Sequence, residues 1–253
     1  MKPKPTDPGA ILRHAIRAHL ELGTTEVIVE RRKSNQSEPI ARPLVDPPLT
    51  APVVPTLDIV DLPEIQRQHF GSLGEHCSAI NTCQLCELGA TRNKFVYGVG
   101  NPNAKLLFIG EAPGAEEDRL GDPFVGRAGQ LLDKILAAIK FTRQDVYIAN
   151  ILKCRPPNNR DPHPDEMAKC TPYLNEQIRI IQPKLICLLG RIAAQGLLKT
   201  TTPLGKLRRR WHEHEGVPVL VTYHPAALLR FPAYKKETWE DMQLLRARYD
   251  ELA

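Results

Sequence analysis

Four cysteines stand at spacings that suit metal chemistry. Cys83 and Cys86 are separated by two residues, close enough for two thiolates in one turn to share an ion. Cys154 stands alone, and Cys170 follows it 16 residues later. A zinc ribbon usually supplies two close pairs. Here only the first pair is close, so a four-thiolate iron–sulfur cluster fits at least as well as zinc, with free thiols as the plainer alternative. Cys187 sits inside an apolar run and reads as a small buried hydrophobe. Cys77, six residues before the pair, is a spare that could compete for a ligand role.

A second set of residues could do acid–base or recognition chemistry. Glu111 lies in Gly110-Glu111-Ala112-Pro113-Gly114, followed by Glu116, Glu117, Asp118 and the stretch from Gly121 to Gly129 that contains Phe124. Glycine and proline here impose a tight loop whose backbone can approach a ligand closely. The loop lacks the Lys-Ser/Thr ending of a phosphate-binding P-loop and is too acidic to cradle phosphate comfortably. The structural alternative is an acidic surface turn with Phe124 tucked into the core. Asn150 can be a turn residue, or an amide that reads the polar edge of a base. His224, in Tyr223-His224-Pro225-Ala226, would by itself more often be structural than catalytic.

The elements around these residues bring the three together. Four short apolar runs, at 105–110, 146–150, 185–190 and 217–222, read as buried parallel strands. Helix-length segments lie between and after them, at 129–140, 165–181, 191–198 and about 236–252. Strand and helix in alternation predict an α/β domain with a mostly parallel sheet. In such sheets ligands sit beyond the carboxyl ends of the strands. Glu111, Asn150 and His224 follow three of those ends, which makes a shared rim the stronger reading.

The N-terminal third differs in kind. Of 23 prolines in 253 residues, 10 fall in residues 1–66. Residues 7–23 read as a short helix, with Asp7 as N-cap, Pro8 in the first turn and Gly23 as stop. Residues 31–63 read as a Pro-rich linker that cannot repay the entropy of ordering a core. An extension of 1–66 and a domain of 67–253 are therefore expected, and the helix would serve either to dock on its own chain or to bind a protein partner. Net charge is −1 for 1–66 and +6 for 67–253; this permits a polyanionic partner without requiring one. No apolar run approaches the roughly 18 residues of a membrane span, and no export signal is visible, so a reducing cytoplasmic compartment is expected.

Together these residues resemble the family 4 uracil-DNA glycosylases, the iron–sulfur branch of the uracil-DNA glycosylase superfamily. The likeness rests on Gly110 to Gly114, Gly121 to Gly129, Asn150, the cysteines at 83, 86, 154 and 170, and His224-Pro225-Ala226, and it covers about residues 70–250. It implies a three-layer α/β/α sandwich around a four-stranded parallel sheet, and hydrolysis of the N-glycosidic bond of uracil in single- or double-stranded DNA by a monomeric enzyme. It further implies that Glu111 positions or activates water, with Gly110 and Ala112 beside it at the substrate. Glu117 would lie near C5 of the base and help exclude the thymine methyl. Phe124 would stack on the flipped base, Asn150 would bond its polar edge and His224 would stabilise charge on O2. Cys83, Cys86, Cys154 and Cys170 would hold a [4Fe–4S] cluster acting as a structural staple. Arg127, Arg155 and Arg230 are candidates to hold phosphates, and Leu228 or Leu229 to wedge into the stack where the base left.

Three other readings compete. A covalent-trapping relative would carry Glu-Gln-Pro at the first motif and an Arg-Arg-Ile-His insertion after the asparagine. This chain has Glu111-Ala112-Pro113, and Ile151 to Pro157 without the insertion. A non-catalytic binding module would not need Glu111, Asn150 and His224 intact. A metal-dependent nuclease could use the acidic loop but would leave the paired cysteines unexplained.

Overall fold

A computed structural model describes residues 63–252. The expected helix at 7–23 and linker at 31–63 lie outside the described residues, apart from Pro63. The sheet has six strands: β1 (Val99–Gly100), β2 (Leu106–Gly110), β3 (Tyr147–Asn150), β4 (Leu185–Leu189), β5 (Trp211–His214) and β6 (Val217–Thr222), in the order β1-β3-β2-β4-β6-β5. The four central strands, β3-β2-β4-β6, are mutually parallel and match the four apolar runs. β1 and β5 add antiparallel edges to that expected sheet.

The apolar runs form strands buried on both faces because helices cover both faces. Leu107, Ile109, Ala149, Ile186, Leu188, Val219 and Val221 face one core with Leu174, Ile178 and Ile181 of α6 (Pro164–Ile181) and Ala193, Ala194 and Leu197 of α7 (Arg191–Leu197). Leu106, Phe108, Ile148, Leu185, Cys187, Leu189 and Leu220 face the other, with Leu132 and Leu136 of α5 (Arg127–Ala138) and Met242 and Leu245 of α10 (Tyr234–Asp250). The two-residue period of the strands thus makes the three layers. Cys187 sits in the second core, as its place in an apolar run implies.

The remaining helices are short: α1 (Glu64–Arg67), α2 (Leu73–Ile80), α3 (Leu88–Thr91), α4 (Ala115–Leu120), α8 (Leu204–Leu207) and α9 (Pro225–Arg230). The segment from α1 into α2 already packs on the body of the domain. Ile65 adjoins the cluster of Ile80, Tyr97 and Tyr173, Gln66 donates to the Lys169 carbonyl at 2.5 Å, and the Phe70 N–H donates to Glu176 at 2.7 Å.

Register decides what reaches the site. Gly110 pairs with Asn150, and Leu189 with Thr222. The carboxyl ends of β2 and β3 are therefore level, as are those of β4 and β6. Residues just past them share one rim.

Candidate active site and four-cysteine centre

A cavity of about 470 Å³ opens at that rim, in the size range of small-molecule sites. Glu111, Ala112, Glu117, Phe124, Asn150, His224 and Arg230 all line it. Gly110 lies behind the floor. A side chain there would collide with Asn150 Oδ1 and the Phe124 ring, so only glycine lets those two meet.

Asn150 is buried, and its Oδ1 has no hydrogen-bond partner. An unpaired buried acceptor costs about 1–3 kcal/mol and is suited to a ligand that brings an N–H. Phe124 belongs to both core and pocket, at 5% exposure. Its φ of 55° is left-handed, which disfavours a bulky residue. Arg143 grips this turn by donating to the carbonyls of Pro123, at 3.1 Å, and Phe124. Gly129 allows it, since a methyl group there would overlap the Phe124 carbonyl.

His224 caps α9: its Nδ1 accepts from the Ala226 N–H at 3.1 Å. That bond leaves the proton of a neutral ring on Nε2. By surface area the residue is only half-buried, because one edge faces the cavity, but its ring packs against Phe124 with centroids 5.5 Å apart. Burial first, and Arg230 second, push its pKa down to about 4 against an opposing pull from Glu117. The ring is neutral at physiological pH. Below it, Thr222 donates to Asp241 at 2.7 Å, and Asp241 pairs with buried Arg208 at 2.8 Å. Arg208 also lies over the Tyr223 ring, 4.2 Å from its centroid. This network braces the strand end that delivers His224.

Burial pushes Glu111 up to about 7, helped by Asp161 and opposed by Arg191 and Arg230. Glu117 has a structural task. Its Oε1 accepts from the N–H groups of Val125 and Gly126, both at 2.9 Å, and its Oε2 accepts from Gly114 at 3.1 Å. It ties the two ends of the acidic loop together. Asp118 likewise accepts from the Asn93 main chain at 2.9 Å, and Glu116 pairs with Arg119. Glu116, Glu117 and Asp118 are thus spent on the loop's own architecture and on neighbouring chain.

Leu228 requires a correction. It is 2% exposed and buried under α9, so it cannot wedge into DNA. Its neighbours Leu229 and Phe231 are 42% and 56% exposed. Arg127 is exposed but lines no part of the cavity, and Arg155 bonds Asn159 at 2.8 Å. Sequence reasoning overlooked Arg160, Asp161, Arg191 and Tyr223, which also line the cavity. Asp161 pairs with Arg191 at 2.6 Å. Arg191 follows Gly190 at the fourth strand end, so the rule that found the other three would have found it too.

The four cysteines come from three segments: the loop before α3, the turn after β3, and α6. Donors surround their sulfurs. Leu85 N–H lies 3.5 Å and Tyr173 O–H 3.4 Å from Cys83, Arg92 lies 3.4 Å from Cys154, and the Lys153 N–H lies 3.4 Å from Cys170. Burial pushes the Cys154 thiol up to about 11 and Cys170 up to about 12; the other cysteines push in the same direction, while Arg92 and Lys153 oppose. Among the described residues no three His, Cys, Asp or Glu side chains are gathered closely enough to hold a metal ion; the four thiols, the N–H groups near their sulfurs and the apolar surround are the kind of donor set a thiolate-held cluster would use. Cys77 packs beside it against Ile80 and Tyr97.

The family model of the uracil DNA glycosylase superfamily matches residues 97–243. The Type-4 uracil-DNA glycosylase of Archaeoglobus fulgidus is 44% identical over 180 residues, covering 68% of this chain and 90% of that protein. The Type-4 enzyme of Saccharolobus solfataricus is 44% identical over 176 residues, covering 66% and 82%. That of Pyrobaculum aerophilum is 42% identical over 173 residues, covering 65% and 88%. With the strand-end rim, the paired cysteines and these matches in agreement, the chain belongs to the uracil DNA glycosylase superfamily.

Proposed function

We propose that this protein removes uracil from DNA by hydrolysing the bond between N1 of the base and C1′ of the deoxyribose, leaving an abasic site. The observation that carries the reading is the unpaired, buried Asn150 Oδ1 at the floor of a base-sized cavity, flanked by an aromatic ring and a neutral histidine. Uracil offers an N3–H donor beside O4, which one amide can meet with Oδ1 and Nδ2; cytosine reverses the pattern. The base must first leave the stack at a cost of a few kcal/mol. Phe124 then offers a stacking face.

As the glycosidic bond breaks, positive charge grows on the sugar and negative charge on the departing base. His224 Nε2–H meets the charge developing on O2 without carrying a positive charge of its own. Ionised Glu111 stabilises the sugar and orients the water that adds to C1′. The water's proton leaves through Glu111, and the uracil anion is protonated after release. Glu117 supports the Phe124 loop from behind and sits beside the base. Arg230, which lines the cavity, would contact phosphates together with Arg127 and Arg155 outside it. Exposed Leu229 and Phe231 succeed Leu228 as candidates to fill the vacated stack.

Cys83, Cys86, Cys154 and Cys170 would hold a [4Fe–4S] cluster. When bound, it cross-links three segments and fixes the turn after Asn150. The catalytic unit is about 67–253, with 1–66 as an extension whose expected helix at 7–23 would bind a protein partner. No described helix is long and apolar enough to cross a membrane.

The test is a uracil-containing single-stranded oligonucleotide incubated with the protein in EDTA. Free uracil and an abasic site are expected. A gel-stable adduct would instead support covalent trapping, and intact DNA a binding module. Glu111→Ala and Asn150→Ala should each slow release by orders of magnitude, and wild-type rates in both would overturn the site assignment.

A further inference from the structure

Lys153 is among the largest fully buried side chains of the protein, and the chemistry above gives it no task. Its ammonium donates to the Asn150 carbonyl at 2.8 Å and to Gln177 Oε1 at 2.5 Å. Gln177 is also fully buried and donates from Nε2 to the Tyr97 carbonyl at 3.1 Å. The Lys153 main chain is tied as well: its carbonyl accepts from the Val96 N–H at 2.9 Å, and its N–H points at Cys170. Burying an ammonium is expensive, and a methionine would fill the same space without that expense. The polar head must therefore do something a methionine would not.

Its target suggests what. Asn150 is the last residue of β3, on the final rung of the pairing with β2. The Asn150 carbonyl belongs to the peptide plane that links it to Ile151. Anchoring that oxygen sets ψ at Asn150 and hence the direction of its Cα–Cβ bond. A tilt of this plane would swing the amide across the cavity floor, where small misplacements of a reading group are costly.

We propose that Lys153 is a positioning residue for Asn150: its ammonium, steadied by Gln177, locks the main chain that aims the Asn150 amide at the base. The proposal rests on Asn150 reading the base.

A double-mutant cycle on the full-length holoprotein tests it. Lys153→Met, Asn150→Ala and the pair would be compared in kcat/KM for uracil release. Affinity for an oligonucleotide with 2′-fluorodeoxyuridine, which resists cleavage, and iron per protein would also be measured. Lys153→Met is expected to keep its iron, to lose about tenfold or more in kcat/KM and in affinity, and to lose less than about threefold where Asn150 is already alanine. Losses that multiply in the pair, or an unimpaired Lys153→Met, would overturn the link while leaving the base-reading role of Asn150 intact. A wild-type Asn150→Ala would overturn both. If Lys153→Met does not accumulate as folded protein, Gln177→Met probes the same ammonium without touching Asn150 or the cysteines. It should give a smaller loss that likewise vanishes beside Asn150→Ala, and a loss that persists there overturns the link.

Discussion

Glu111 should make the protein less stable in the protonation state in which it is active. Burial and Asp161 raise its pKa from 4.5 to about 7, against Arg191 and Arg230. A carboxyl with a raised pKa holds its proton more tightly in the folded state than in the unfolded one. Between pH 4.5 and 7 the native state therefore binds more protons, and stability falls as pH rises through that window. Below 4.5 both states are protonated and the effect is absent; above 7 it is fully developed. Each tenfold change in proton affinity is about 1.4 kcal/mol, so the ionised group costs the fold on the order of 3 kcal/mol, and screening by water in the open cavity reduces this to about 1–3 kcal/mol.

Glu111→Gln keeps the shape and removes the charge. At pH 8.5 it should melt higher than wild type by roughly 2–12 °C, at about 2–4 °C per kcal/mol for a domain of this size. The gain should shrink steadily toward pH 5, where other titrations cancel in the difference. In parallel, kcat/KM of the wild type should rise with pH along a limb centred near 7, because that parameter reports the free enzyme and only the carboxylate serves. A difference in melting temperature that ignores pH would refute the reasoning. So would a wild-type limb centred near 4.5.

Cys154→Ala should lose iron and melting temperature together, measured by metal analysis, visible absorption and thermal melting; loss of iron at full stability and activity would remove the staple role. Gly129→Ala should destabilise by more than about 2 kcal/mol in denaturant titration and slow uracil release, because the methyl overlaps the Phe124 carbonyl with backbone on both sides. Phe231→Ala and Leu229→Ala should slow release from duplex more than from single strands. Equal effects on both would place the two outside the vacated stack.

What was readable in the sequence follows from how each feature is encoded. The central strands are short, mostly apolar runs such as Leu106–Gly110 and Leu185–Leu189, and a strand buried on both faces leaves that signature. β5 reads Trp-His-Glu-His, exposed and half-buried in turn, so its one apolar residue, Trp211, faces outward and no apolar run marks it. Glu111, Asn150 and His224 were legible because strand ends are where α/β sheets bind ligands. Glu117 was legible as a site residue but not as a tie, since three bonds to main-chain N–H groups across a loop have no spacing rule. Leu228 and Leu229 differ only in helical phase. Once α9 begins at Pro225, adjacent residues point about 100° apart, and burial falls to Leu228.

The site holds several unfavourable arrangements at once. Asn150 Oδ1 has no partner, Glu111 ionises at a cost, and Phe124 occupies a left-handed backbone that costs about 1–3 kcal/mol. None could persist unless neighbours enforced it. Each is held by neighbours: Lys153 anchors the Asn150 main chain, Arg191 and Arg230 favour ionised Glu111 against burial and Asp161, and Arg143 holds the Phe124 turn. A seated uracil would relieve the first two, by supplying an N–H to Asn150 and a cationic sugar to Glu111. Relief at Asn150 comes as the base enters and strengthens binding, whereas relief at Glu111 grows only as the bond breaks, and that part lowers the barrier to the chemical step. The enforcers should therefore respond differently from the residues they hold. Removing an enforcer relaxes the strain and slows the reaction, so its stability penalty should be smaller than its activity loss would suggest.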